Sequence, residues 1–157
     1  MKNSKIKRVV LIQPKSAGGN FEYAAIPRQG MLYLSGALQQ WEGPYLYERE
    51  IWFEDRSGKI DLDKDLEGVD ILMVSALINE VPRGYEIGRK AKEYHPEIIT
   101  IGGGPHMGPL PEEAIKEGKF DVIAQREAEA VVGQLSDVLL TYKGDALTKA
   151  LYNIPGI

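Results

Sequence analysis

The sequence predicts an α/β fold, a flavodoxin-like (Rossmann-like) doubly wound sheet of five parallel strands in the order 2-1-3-4-5, in three α/β/α layers. Three observations carry that expectation. Short apolar runs alternate with amphipathic stretches along the whole of the 157 residues, the signature of βα units. Glycine and proline fall where each apolar run ends, as strand hands over to helix. Five such units joined by right-handed crossovers fit the flavodoxin-like order naturally.

Val9 to Ile12 form the first apolar run. Residues 14–27, PKSAGGNFEYAAIP, make a first loop longer than most strand-to-helix connections, and such loops are usually functional or disordered. Met31, Leu34, Leu38 and Trp41 then recur at helical spacing, stopped by Gly43-Pro44. Residues 46–54, LYEREIWFE, alternate as an outer strand would, followed by a polar turn from Asp55 to Lys59 and a short helical piece ending at Gly68. Val69 to Leu77, VDILMVSAL, is the strongest buried strand. A helix is expected from Arg83 to His95, because Ile87, Ala91 and Tyr94 share one face and Pro96 forbids its continuation. Ile98, Ile99 and Ile101 make strand four, which runs into the glycines at 102–104. Pro111, Glu112 and Glu113 open a helix that Gly118 should cap; FDVIA from Phe120 is strand five, and a last helix is expected from about Glu127 to Leu140.

Composition narrows the function. With 19 basic and 23 acidic residues the net charge is −4, and no run gathers the basic residues, so nothing points to nucleic acid. The chain has no cysteine, which removes thiolate metal sites, disulfides and thiol nucleophiles. The apolar run of the basic N-terminus is too short for a signal peptide's core or a membrane span, and a cytoplasmic protein without membrane contact is expected.

In such a sheet a ligand sits at the carboxyl ends of the strands. The loops after strands one, three, four and five therefore line the default site: Pro14 to Pro27, Ser75 to Arg83, Gly102 to Leu110 and Gln125 to Glu129. This edge lacks a Walker lysine, a G-x-G-x-x-G after strand one and a serine nucleophile elbow. A floor of Ser75, backbone amides and glycines suits holding a large planar or extended molecule better than breaking a bond. Each feature also has a purely structural reading. The glycines serve turns and packing as readily as ligands; Ser75 could bond a nearby carbonyl or cap the next helix. His106 could be an ordinary loop histidine, His95 a helix-terminal cation, and Glu127 and Glu129 partners of a helix dipole. Phe21 and Tyr23 could stack on a planar ligand or pack on the sheet's edge.

Taken together and in order, VVLIQP at Val9, Gly30-Met31-Leu32-Tyr33-Leu34, DILMVSAL at Asp70, ITIGGGPH at Ile99, LPEEA at Leu110 and FDVIAQREAEAVVGQL at Phe120 resemble the N-terminal cobalamin-binding domain of cobalamin-dependent radical S-adenosylmethionine enzymes. The resemblance implies residues 1–142 as a cobalamin-binding domain and 143–157 as a helix and linker toward a radical barrel. The barrel would carry a Cys-x3-Cys-x2-Cys motif, an iron-sulfur cluster and S-adenosylmethionine, none of which a cysteine-free chain holds, so this chain alone should have no turnover. Ser75 and Leu77, with Ala76 between them, match a Ser-x-Leu motif whose hydroxyl faces the nucleotide tail. Gly103 and Gly104, with Gly102 before them, match the glycine pair that the tail passes. The implied cofactor-binding set is Pro14, Ser75, Ala76, Leu77, Gly102, Gly103, Gly104, Pro105, His106 and Glu127, with no catalytic or metal-binding residue. Two departures stand out: no Asp-x-His-x-x-Gly is present to supply a histidine below cobalt, and Gln125-Arg126-Glu127-Ala128-Glu129 stands where the family more often has Gly-Glu-Gly-Glu. The alternative is a flavodoxin-like domain without cofactor that mediates contacts between domains or subunits.

Overall fold

Burial alternates residue by residue along the central strands, and this decides the layers. In the computed structural model, which describes residues 5–17 and 29–157, Val10, Ile12, Leu72 and Val74 enter one core. Val9, Leu11, Ile71 and Met73 enter a second core on the other face. Period-two alternation between two apolar layers is what a parallel sheet covered on both sides requires.

The strands are β1 (Lys5–Gln13), β2 (Tyr45–Phe53), β3 (Ile71–Ser75), β4 (Ile99–Gly103) and β5 (Val122–Ile123). All neighbours pair in parallel, and the spatial order is β2-β1-β3-β4-β5. This is the flavodoxin-like α/β fold that the alternation of apolar runs predicts. Helices α1 (Gln29–Gln40), α6 (Val132–Thr141) and α7 (Gly144–Tyr152) contribute to the second core, whereas α3 (Val81–Tyr94) and α5 (Pro111–Gly118) cover the first. The chain thus changes face between β1 and β3, which places the topological switch point there. Two short helices complete the set, α2 (Glu54–Ser57) and α4 (Gly104–Met107).

Several boundaries differ from the sequence reading for identifiable reasons. Residues 62–68 form consecutive turns rather than a helical piece. Lys119, not Gly118, takes the left-handed position that ends α5, with φ 59°. Gly118 serves packing instead, since a Cβ there would lie 2.5 Å from the Phe120 ring and its lack of a side chain lets Phe120 into the core. The last large helix starts at Val132 rather than near Glu127. The Ala128 carbonyl accepts from Val131 at 2.9 Å and Val132 at 2.7 Å, which leaves Glu127 outside the helical ladder.

A polar clamp ties α6 to Trp41, just beyond α1, and to Tyr47 of β2. Trp41 Nε1 donates to Asp137 Oδ2 at 2.8 Å and the Tyr47 hydroxyl donates to Oδ1 at 2.5 Å. A side chain at Gly133 would overlap the Trp41 ring, so this glycine sets the distance between α6 and Trp41. Beyond α7, Ile154 is buried in the same core, and the Gln125 amide donates to the Gly156 carbonyl at 2.8 Å. No helix among the described residues is long and apolar enough to cross a membrane.

Candidate functional site

At the carboxyl edge the second core opens into a cavity of about 530 Å³. Its sheet wall comes from Met73 and Ser75 of β3 and Ile101 and Gly103 of β4, with Ala124 following β5. Helix α1 supplies Gly30, Met31 and Leu34, and α6 supplies Val132 and Leu135. The segment Gln125–Glu129 makes the rim, so Arg126, Glu127 and Glu129 are the charged groups at its mouth. The interior is apolar, the opening polar, which is the usual composition of a small-molecule site.

The glycine run does three different things. At Gly102, in mid-strand, a Cβ would meet Ile123 Cδ1 at 2.7 Å and the Phe120 ring at 3.1 Å, on the face away from the cavity. Its smallness is therefore a packing requirement of the first core. Gly103 is extended, and a Cβ there would find nothing nearer than Ala124 O at 3.5 Å. Gly104 has φ +93°, and a Cβ would approach Ser75 Oγ to 2.5 Å and the Ala76 amide nitrogen to 3.1 Å. This is the position where only glycine fits without strain.

Ser75 pairs in register with Gly103. Its hydroxyl, half-buried against Gly104, makes no hydrogen bond among the described residues. Backbone groups around it are already used: the Gly102 carbonyl accepts from the Ala124 amide at 2.9 Å, and the Gly103 carbonyl from the Ala76 amide at 3.3 Å.

Of the ten residues expected at the site, the structure brings Ser75, Gly102, Gly103, Gly104, Pro105 and Glu127 to the cavity wall. Pro14, Ala76, Leu77 and His106 do not line it. Pro14 and Ala76 face α3 instead; a Cβ on Gly84 would lie 3.3 Å from Ala76 Cβ and 3.6 Å from Pro14 Cγ. Leu77 points outward where the chain enters a 3₁₀ turn (Ile78–Glu80). His106 Nε2 lies 3.2 Å from Glu113 Oε1, and the Tyr85 hydroxyl donates to that same oxygen at 2.8 Å. The ring is thereby turned toward α5. Phe21 and Tyr23 fall outside the described residues.

Met31 and Leu34, which recur at helical spacing, and Val132 and Leu135, within the expected last helix, are also cavity wall. Helical spacing gives the same signal for both roles. Sequence reasoning passed over a buried ion pair at the same edge of the sheet. Arg83 donates from Nε to Glu54 Oε2 at 3.0 Å and from a terminal nitrogen to Oε1 at 2.6 Å. Glu54 accepts as well from the Lys15 and Ile60 amides, at 3.0 and 3.1 Å. Burial works against the Arg83 charge, but the hydrogen bond and attraction to Glu54 outweigh it and the guanidinium is held above its ordinary range. No local pattern in the sequence announces a pair 29 residues apart. Among the described residues no group of three or more His, Asp or Glu side chains is placed to hold a metal ion.

These features define a flavodoxin-like α/β domain with an apolar cleft at the carboxyl edge of its sheet. Among solved structures, the cobalamin-dependent S-adenosylmethionine radical enzyme OxsB with aqua-cobalamin bound is similar over 89% of this chain, with TM-score 0.68 and 18% identity. The match spans 20% of the OxsB chain, so this chain corresponds to a fraction of that protein. Two structures of the response regulator RcsB are also similar. One, from Salmonella typhimurium, has TM-score 0.53 at 14% identity and covers 96% of this chain and 69% of its own. The other, from Salmonella enterica serovar Typhimurium and bound to promoter DNA, has TM-score 0.50 at 12% identity, with coverage of 92% and 66%. At these identities the likeness is one of fold. No protein-family model and no curated protein sequence matches the chain.

Proposed function

We propose that this domain binds cobalamin at the carboxyl edge of its sheet, with the nucleotide tail lying in the cavity between the sheet and helices α1 and α6. The observation that carries this reading is the pairing of an apolar cavity of about 530 Å³ with a close-approach wall, where Gly103 leaves the backbone bare beside the Ser75 hydroxyl, which has no hydrogen-bond partner among the described residues. The likeness of fold to OxsB supports the same reading. Gly103 would let the tail pass the strand end, Ser75 would donate to it, and Met31, Leu34, Val132 and Leu135 would exclude water. Pro105 and Glu127 would meet the part nearer the mouth. When bound, cobalamin supplies the chemistry, methyl transfer or a related radical reaction; the protein supplies binding and orientation. The partner in that chemistry would be a radical S-adenosylmethionine barrel, which holds its own iron-sulfur cluster. His106 is hydrogen-bonded to Glu113 and does not line the cavity.

The second reading, a cofactor-free interaction module, is favoured by one observation. The rim segment Gln125-Arg126-Glu127-Ala128-Glu129 carries side chains at both places where the resembling family, with Gly-Glu-Gly-Glu, more often has glycine. The two are separated by adding hydroxocobalamin to the purified protein, removing free ligand and recording the visible spectrum. Retained corrin absorbance from folded protein is the expected result; its absence would overturn the cobalamin reading and leave the module.

A further inference from the structure

Resting on the cobalamin reading above, we propose that the cavity selects among corrinoids by the chemistry of the buried end of the tail. It takes a tail that ends in a benzimidazole and discriminates against one that ends in adenine. The reason lies in what the wall can and cannot satisfy. The inner surface is formed by Met31, Leu34, Met73, Ile101, Val132 and Leu135. Met31 is 2% exposed and Leu135 fully buried, so this is apolar core that continues into the cavity.

Among the described residues, the strand positions that line the cavity contribute one side-chain hydrogen-bonding group, the Ser75 hydroxyl. The nearby carbonyls of Gly102 and Gly103 are spent on the Ala124 and Ala76 amides. The other polar side chains of the lining, Gln125, Arg126, Glu127 and Glu129, belong to the rim segment rather than to the inner wall. A benzimidazole attached to its ribose has one free ring nitrogen, which a single hydroxyl satisfies. The rest of its surface is hydrocarbon suited to two adaptable methionine side chains. Adenine adds further ring nitrogens and an exocyclic amine. Set against the inner wall, each of those groups would leave water with no side-chain partner beyond Ser75 among the described residues, and one stranded polar group weakens binding roughly tenfold to a hundredfold.

The experiment compares hydroxocobalamin, its adenine-tailed counterpart and tail-less cobinamide on the same folded chain, each titrated and followed by the visible spectrum. Cobalamin should bind at least about tenfold more tightly than the adenine-tailed corrinoid, and cobinamide should be no better than the latter. Equal or tighter binding of the adenine-tailed form would overturn the selectivity while leaving the cobalamin reading intact. Cobinamide binding as tightly as cobalamin would do the same, because the tail would then not occupy the cavity. Failure of all three to bind would remove both. The variant Leu34→Gln places an amide in the wall at a half-buried helix position. It should narrow the cobalamin-to-adenine ratio, and an unchanged ratio in a variant with an unaltered thermal midpoint counts against the proposal.

Discussion

The hydroxyl of Ser75 and the α-carbon of Gly104 are packed so closely that a Cβ at residue 104 would come within 2.5 Å of the hydroxyl oxygen. The glycine's φ of +93° adds a backbone penalty to this overlap. Gly104→Ala should therefore destabilise the fold by about 1–3 kcal/mol, as positive φ does for a residue with a Cβ. Ser75→Ala removes one of the clashing atoms, so in a double-mutant cycle of urea unfolding the two changes should couple favourably. Gly103 differs from its neighbour in both respects, being extended and open to the cavity. Gly103→Leu should leave the unfolding midpoint nearly unchanged and abolish corrin retention. Loss of stability instead would assign the position to the fold.

The Glu54–Arg83 pair makes a second prediction. Glu54 is 1% exposed and Arg83 8%. Arg83→Met would leave a carboxylate facing only the Lys15 and Ile60 amides. Removing one partner of such a pair costs about 3–5 kcal/mol, whereas replacing both by apolar groups of similar size is often close to neutral. Denaturant unfolding of Arg83→Met, and of the double variant with Glu54→Leu, should show the large loss followed by substantial recovery.

How much of the fold and the site is legible in the sequence depends on the range of the interaction. Strand order follows from alternation and crossover handedness, which are local patterns with a global consequence. The carboxyl edge follows from the order, and with it Ser75 and Gly103. Contacts set by side chains meeting from distant segments are not legible in this way. His106 sits two residues beyond the glycine run, yet Glu113 on the next helix draws it away from the cavity. Pro14 follows β1 at the correct edge but packs on the α3 face, because alternation sends successive residues to opposite sides. The rim segment ahead of α6 is tied by the Gln125 amide to the Gly156 carbonyl, 31 residues apart by number, a contact that no window over residues 120–140 contains.

Acid and alkali should destabilise this domain through identifiable groups. The Glu113 carboxyl is held below its ordinary 4.5 by the Tyr85 hydroxyl first and His106 second, and Glu86 is held below 4.5 chiefly by its hydrogen bond from Arg83. A depressed native value means stabilisation that is present above pH 4.5 and lost as pH falls through the lowered values. Tyr47 and Tyr85 behave oppositely: burial and then a carboxylate partner, Asp137 or Glu113, push both phenols well above 10. Their contribution is present below pH 10 and lost as pH rises beyond it. Urea midpoints measured across the pH range should fall at both ends, and Tyr85→Phe should flatten both limbs. In a phenolate absorbance titration, the signals that Tyr47→Phe and Tyr85→Phe remove should lie well above pH 10.

The last prediction concerns the cavity's rim. Gln125, at the start of the rim segment, donates its amide to the Gly156 carbonyl at 2.8 Å. Gly156 has φ +79°, and a Cβ there would sit 3.4 Å from Arg126 Cβ, so residues 154–157 form a strap laid directly on Gln125 and Arg126. Ile154, 3% exposed, anchors that strap in the second core. Ile154→Ala should cost about 2–5 kcal/mol by leaving a cavity under the strap. Gly156→Ala acts differently, since it strains the strap without emptying the core. It should speed hydrogen exchange at the Gln125 amide and weaken corrin retention, with a smaller change in the global unfolding midpoint. If Gly156→Ala leaves exchange at Gln125 unchanged, the rim is held by its own turn at Ala128–Val132 rather than by the strap, and residues 154–157 have no mechanical hold on the ligand.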